Sequence, residues 1–170
     1  MATATVTSLE EYLTTVYRPD REYLDGLIVE RNLGERDHST LQMEVVYLLG
    51  HLRKTLGIHV FPEQRVQVTP SRFRVPDICV TVGPKPVEQI FTRPPFLCVE
   101  VLSPDDRAGE VQERIEDYLA FGVRYVWVIN PRSRRAYIHT PEGSREAKDG
   151  VLRTENPAIA IPLAEIFAEL

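Results

Sequence analysis

Two short apolar segments near the middle of the chain, each carrying one carboxylate, dominate the hydrophobic pattern. Residues 75–82 contain Asp77, and residues 96–102 contain Glu100. Near-continuous apolar runs of this length are typical of strands buried on both faces. A carboxylate in such a strand is costly unless it is paired, protonated or bound to a metal. The two together therefore predict a functional site.

The pattern that follows predicts a strand, a helix and a second strand. Residues 103–106 end the first strand and offer a helix N-cap. Apolar residues then recur at helical spacing over residues 108–119, and Gly122 ends the helix. Residues 123–129 form another apolar run. This order predicts two parallel strands joined by a right-handed crossover.

The N-terminal part is predicted to hold a short helix and a hairpin. Ser8 and Glu11 form a capping box at the start of a helix over residues 8–15. Asp25 and Gly26 form a two-residue turn signal between the apolar halves of residues 21–31, which indicates a β-hairpin.

A long amphipathic helix is predicted next. Ser39 and Gln42 form a second capping-box pattern, and apolar residues then follow at helical spacing until Gly57. Residues 60–69 alternate and are predicted to form one strand. Further along, the pattern predicts a strand over residues 135–139, a polar hairpin over residues 143–156 and a closing helix over residues 163–170.

Composition places the chain among ordinary globular proteins. Its 170 residues, 43% hydrophobic and 26% charged, predict a single domain, and no apolar run approaches the roughly 20 residues of a membrane span. The first residues lack the order of a signal peptide, so we expect a cytoplasmic protein. A net charge of −5 argues against coating nucleic acid by bulk charge but leaves room for a local basic patch. Cys79 and Cys98 are predicted to be buried thiols.

Asp77 and Glu100 are suited to holding a divalent cation between two neighbouring strands. Hard ions such as Mg²⁺ prefer carboxylate oxygens and often take only one or two of them from the protein. For Asp77 alone, a structural hydrogen bond to a nearby loop is an equal alternative. Without a metal the pair should repel itself, so Asp77→Asn is expected to be no less stable than the wild type.

The same segments resemble a known family. The runs RVPDICVTV, PFLCVEVLSPDDR and ERIEDYLAFGVRYVWVINP are similar to the bacterial Uma-type restriction endonucleases, of the PD-(D/E)XK nuclease superfamily, over about residues 23–139. The resemblance implies a restriction-endonuclease-like central mixed β-sheet flanked by helices, with an N-terminal hairpin. It also implies hydrolysis of DNA with Mg²⁺ or Mn²⁺. Asp77 and Glu100 match its metal carboxylates, and His38 matches a histidine at the start of its long helix. For His38, capping of the helix N-terminus or exposure to solvent is an equal alternative to a catalytic role.

One position departs from the superfamily pattern. A lysine is expected two residues after the glutamate, where this chain has Leu102. The resemblance implies that the lysine has moved to the following helix, where Arg114 stands. Arginine can stabilise a phosphate but is poor at giving up a proton. The alternative is that Arg114 forms an ordinary surface pair with Glu110.

Other residues are weaker candidates. Glu44 lies beside the apolar face of the long helix, and Glu30 follows the hairpin, so either could join the site. Five arginines could touch phosphates or merely form solvated faces, namely Arg72, Arg74, Arg132, Arg134 and Arg135. Ser103 lacks the G-x-S-x-G elbow of a serine hydrolase.

Two functions therefore remain open from the sequence. The first is a metal-dependent endonuclease acting on DNA, with Asp77, Glu100, Arg114 and His38 at its site. The second is a nuclease-like fold that no longer cleaves and serves as a nucleic-acid-binding or assembly module. A homo-oligomer would give a small acidic nuclease more contact area and is a further expectation.

Overall fold

A computed structural model describes residues 6–32 and 34–170, and its centre is a six-stranded mixed sheet. In sheet order the strands are β10 (Gly143–Glu146), β9 (Arg135–Thr140), β8 (Tyr125–Asn130), β7 (Leu97–Val101), β6 (Ile78–Val82) and β3 (Ile58–Pro62). Only β7 and β8 pair in parallel, and the other pairs of this sheet are antiparallel. The predicted mixed sheet is confirmed, and the two carboxylate segments are neighbours in it.

Helix α4 (Ala108–Phe121) connects the parallel strands β7 and β8, as the sequence predicts. It packs on the sheet through Ile115 and Tyr118 and ends at Gly122, whose φ of 114° favours glycine. Its start differs from the prediction. The N-cap residue is Arg107, while Asp106 accepts a hydrogen bond from the Ser103 backbone N–H instead.

Helix α2 (Arg36–His51) covers the opposite face and buries Leu41, Val45 and Leu49 against the sheet. The predicted capping box is wrong, because the helix begins before Ser39 and has no side-chain cap. Gln42 instead donates to the backbone carbonyl of Asp77 at 2.9 Å. A short helix α3 (Arg53–Leu56) follows and ends at Gly57, the predicted stop, which has a φ of 63°.

The N-terminal elements form a second layer. Helix α1 (Leu9–Thr14) is capped by Ser8, whose hydroxyl accepts from the Glu11 N–H, as predicted. The predicted hairpin is also confirmed. Its strands β1 (Arg21–Leu24) and β2 (Leu27–Glu30) join β5 (Arg72–Arg74) and β4 (Val66–Thr69) in a four-stranded sheet.

Three sequence-based predictions about strands are wrong. Residues 60–69 are not one strand, because the chain turns at Glu63, with a φ of 51°, and passes from β3 in one sheet to β4 in the other. The strand expected from residue 75 begins at Ile78, so Asp77 immediately precedes it. Residues 143–156 do not pair with each other. Instead β10 pairs with β9, while β11 (Val151–Arg153) pairs with β12 (Ala160–Pro162).

The C-terminus and the cysteines complete the fold. The closing helix α5 (Leu163–Ile166) is shorter than expected. Cys79 and Cys98 are buried free thiols, as predicted, and they face each other across β6 and β7. None of the helices in the described ranges has the length and apolar character needed to cross a membrane.

Candidate active site

Asp77 is buried immediately before β6, and its carboxylate is contacted from three sides. Arg31, just after the hairpin, donates to Oδ1 at 2.7 Å. The Val101 N–H of β7 donates to Oδ2 at 2.8 Å, and His38 Nε2 lies 3.2 Å from the same oxygen. These contacts fix Asp77 beside the end of the strand that carries Glu100.

Glu100 is 2% exposed and lies on the side of β7 that faces α4. The Tyr118 hydroxyl donates to Oε1 at 2.7 Å, and Arg114 Nη1 lies 3.4 Å from Oε2. Burial raises the pKa of Glu100 to about 7, and the negative charge of Asp77 adds to this while Arg114 opposes it. The surrounding protein therefore offsets only part of the free-energy cost of ionising Glu100.

Arg114 extends from α4 into the site. Its guanidinium also contacts Asp106, with Nη2 2.5 Å from Oδ1, and its side chain is 18% exposed. Burial lowers the pKa of Arg114, but the charges of Glu100 and Asp106 outweigh that effect and raise it. The alternative of a surface pair with Glu110 is therefore wrong. In the described part of the chain Arg114 Nε is buried without a hydrogen-bond partner, which leaves one donor unused.

His38 lies in the first turn of α2 with its side chain 14% exposed. Burial lowers its pKa, but the hydrogen bond and the charge of Asp77 outweigh burial, so the pKa is raised. The contact with Asp77 thus favours the charged form of the His38 ring. The structure brings together all four main candidates, Asp77, Glu100, Arg114 and His38.

The weaker candidates lie elsewhere. Glu30 is at the surface, where it pairs with Arg21 at 2.8 Å and its side chain is 73% exposed. Glu44 does not line the small cleft around Asp77, whereas Gln42, one helical turn after His38, does. Arg74 is 3% exposed and tied to Glu22 and Asp117, so it cannot reach solvent phosphates.

Three contributors to the site were not assigned to it from the sequence. Arg31 follows a hairpin and carries no local signal. Tyr118 was visible only as part of an apolar helical stripe, and Asp106 only as a capping candidate. Each acquires its role through contacts between distant elements, which join Arg31 to Asp77 and Tyr118 to Glu100.

The donor set limits which metal would fit. Among the described residues, no group of three or more His, Cys, Asp or Glu side chains is placed so that it could hold a metal ion. A structural zinc site, which needs four such ligands, does not fit. Two carboxylates do fit Mg²⁺ or Mn²⁺, since Mg²⁺ keeps several waters and often takes one or two protein carboxylates. Arg31 and Arg114 already offset part of the negative charge, so affinity for a cation should be modest.

Comparisons with known proteins identify the family of this chain and a solved structure with the same fold. The Uma2 family model, described as "Putative restriction endonuclease", matches residues 9–165. A crystal structure of a putative nuclease belonging to DUF820 from Anabaena variabilis matches with a TM-score of 0.84 and 24% sequence identity, covering 95% of this chain and 97% of that one. The predicted restriction-endonuclease-like fold is thereby confirmed. The comparison with curated proteins found no significant relative.

Proposed function

Because the chain belongs to the Uma2 family, which is described as "Putative restriction endonuclease", we propose that it is a metal-dependent endonuclease that hydrolyses DNA phosphodiester bonds. One observation carries the proposal: Asp77 and Glu100 are buried on neighbouring antiparallel segments, with His38 in contact with Asp77 and Arg114 in contact with Glu100. A buried carboxylate whose pKa is raised to about 7 is costly for a merely structural role. A divalent cation would offset that cost.

Asp77 and Glu100 would hold the ion. When bound, Mg²⁺ or Mn²⁺ supplies a nucleophilic water and polarises the phosphoryl oxygens. Arg114 would stabilise the negative charge that develops on the phosphate, because its guanidinium stays charged and its side chain is partly exposed at the cleft. His38 orients Asp77 through their contact and, when protonated, adds positive charge beside the substrate.

An arginine at position 114 cannot perform the proton transfer that a lysine could perform in a lysine-containing nuclease. Its pKa is raised further above an already high ordinary value, so it does not take or release protons during the reaction. Deprotonation of the water would then depend on the ion. We therefore expect slow turnover that responds strongly to the identity of the metal.

The proposal is tested by nicking of supercoiled plasmid DNA in Mg²⁺ and in Mn²⁺. The wild type and Glu169→Gln, which alters an exposed carboxylate in the C-terminal segment, should both nick the plasmid. Glu100→Gln should not, and chelator should stop the reaction. Equal nicking by the wild type and Glu100→Gln would contradict the proposal, because it would locate the activity elsewhere or in a contaminant.

A second candidate function is a module that binds DNA without cleaving it. It is favoured by Leu102 in place of the lysine and by the hydrogen bonds that already occupy both oxygens of Asp77. It predicts retention of DNA with no nicking in either metal. The same assay, run beside a gel-shift measurement, separates the two functions.

A further inference from the structure

A cavity of about 630 Å³ lies beside the cleft at Asp77, and most of its lining takes no part in the chemistry proposed above. It shares His38, Ser103 and Asp106 with the cleft of about 150 Å³ at Asp77, so the two spaces have a common wall. It lies between the start of α4, the ends of β7 and β8, and strand β9. A group bound there would be held next to a phosphate at the carboxylates.

The walls of this cavity are mainly apolar. Those apolar residues include Leu102, Val111, Ile115, Val128 and Pro131. Two rings, Tyr137 and His139 of β9, are partly exposed and complete the lining. Burial lowers the pKa of His139, which favours the uncharged ring. Flat, neutral surfaces of this kind are those on which nucleobases stack.

Two amides add hydrogen-bonding groups. The Asn130 side-chain oxygen accepts from the Arg132 and Ser133 N–H groups, which leaves its NH₂ group to donate elsewhere. The Gln112 NH₂ group donates to Glu116, which leaves its carbonyl oxygen to accept. One donor and one acceptor within an apolar cavity match the polar edge of a base.

The charges favour a base over a phosphate inside the cavity. Glu35 and Asp37 line it together with Asp106, and the only arginine of the lining is Arg132. Arg36 pairs with Asp37, and Arg114 pairs with Asp106. It is therefore mainly Glu35 that repels a phosphate from the interior, whereas Arg114 and His38 can receive a phosphate at the cleft.

We infer that this cavity receives one unpaired nucleobase of a DNA strand whose adjoining phosphate lies at Asp77 and Glu100. The inference rests on the proposed nuclease function and narrows its substrate to single-stranded or locally unpaired DNA. A base in an intact duplex would first have to leave the stack, which costs about a few kcal/mol.

The test measures binding by fluorescence anisotropy in Ca²⁺. Three labelled probes are compared: a single DNA strand, the same strand as a duplex, and an abasic strand with the same number of phosphates. The single strand should bind roughly 5- to 150-fold more tightly than the abasic strand, because stacking of one base is worth ~1–3 kcal/mol. It should also bind more tightly than the duplex, whose base must first leave the stack. Equal binding of the single and abasic strands would overturn the inference.

Substitutions at two exposed alanines of α4 provide a matched pair. Ala108 lines the cavity, so Ala108→Trp should fill it and remove the preference for bases, while Ala120→Trp lies outside the lining and should retain it. Thermal unfolding verifies that both variants are folded. Tyr137→Ala should weaken single-strand binding and leave duplex binding unchanged. Retention of the preference in Ala108→Trp would contradict the assignment.

A failure of this inference can be distinguished from a failure of the proposed nuclease function, because the binding assay does not require turnover. Plasmid nicking combined with equal binding of base-bearing and abasic strands overturns the inference and leaves the nuclease proposal intact. Base-dependent binding that is lost in Ala108→Trp, combined with no cleavage of either the plasmid or the labelled single strand in Mg²⁺ or Mn²⁺, supports the cavity assignment and contradicts the nuclease proposal.

Discussion

Arg114 of α4 lies against Glu100 of β7, with its Nη1 atom 3.4 Å from the Oε2 atom of the carboxylate. The two residues are 14 positions apart in the sequence, and the crossover between parallel strands brings them together. A cation on the crossover helix thus lies beside Glu100, whereas position 102 of the strand is a leucine. The Asp106 carboxylate holds the guanidinium in this position.

The first prediction concerns Arg114 and the rate of plasmid nicking. Arg114→Ala removes a positive charge that offsets charge in the transition state, so it should slow nicking by about 10²-fold. Arg114→Lys should restore much of the rate, because it returns a cation to the same helix position. Arg124→Ala, which alters an exposed arginine after the same helix, serves as the control and should nick like the wild type. Equal rates in all four proteins would exclude a catalytic role for Arg114.

The second prediction concerns the free energy of unfolding of Asp77→Asn in chelator. Repulsion from Glu100 alone would make this variant as stable as the wild type, as the sequence suggests. The structure reverses that expectation, because Asp77 accepts from Arg31 and from the Val101 N–H. An asparagine leaves at least one buried donor poorly satisfied, which should cost ~1–3 kcal/mol. Chemical denaturation measures this cost, and an unchanged midpoint would show that repulsion dominates.

The third prediction concerns the pH dependence of stability in chelator. Burial raises the pKa of Glu100 from 4.5 to about 7, so the folded protein binds a proton more tightly than the unfolded chain does. The stability linked to this group is present below about pH 4.5 and is lost as pH rises to about 7. Glu100→Gln cannot ionise. Its free energy of unfolding relative to the wild type should therefore increase across this window and level off above it. A constant difference from pH 4 to 8 would contradict a raised pKa.

The sequence indicated Asp77 and Glu100 because a charged side chain within an apolar run is visible without any tertiary information. It also indicated the hairpin and the crossover, whose signals, Asp25-Gly26 and Gly122, are local turns that the structure contains. The partners of the carboxylates were not predictable in the same way. Arg31 reaches Asp77 across 46 positions, and nothing near Arg31 in the sequence marks that contact.

The errors in secondary structure have a similar origin. The alternation of apolar and polar residues over 60–69 is typical of a single strand. The chain turns at Glu63 instead, and the Glu63 N–H donates to the Asp77 carbonyl. Gln42 resembles a capping residue, yet it also donates to that carbonyl. In both places a tertiary contact with Asp77 overrides the local pattern. The residue that the sequence identifies most readily is thus the one around which local prediction fails.

The account depends most on Asp77 and Glu100 forming one site for a divalent cation, and titration calorimetry with Mn²⁺ tests this directly. The wild type and Glu169→Gln should each bind one Mn²⁺ at the site. Asp77→Asn and Glu100→Gln should each lose that binding, because a single carboxylate holds such ions weakly. Unchanged Mn²⁺ binding in both Asp77→Asn and Glu100→Gln would contradict the account.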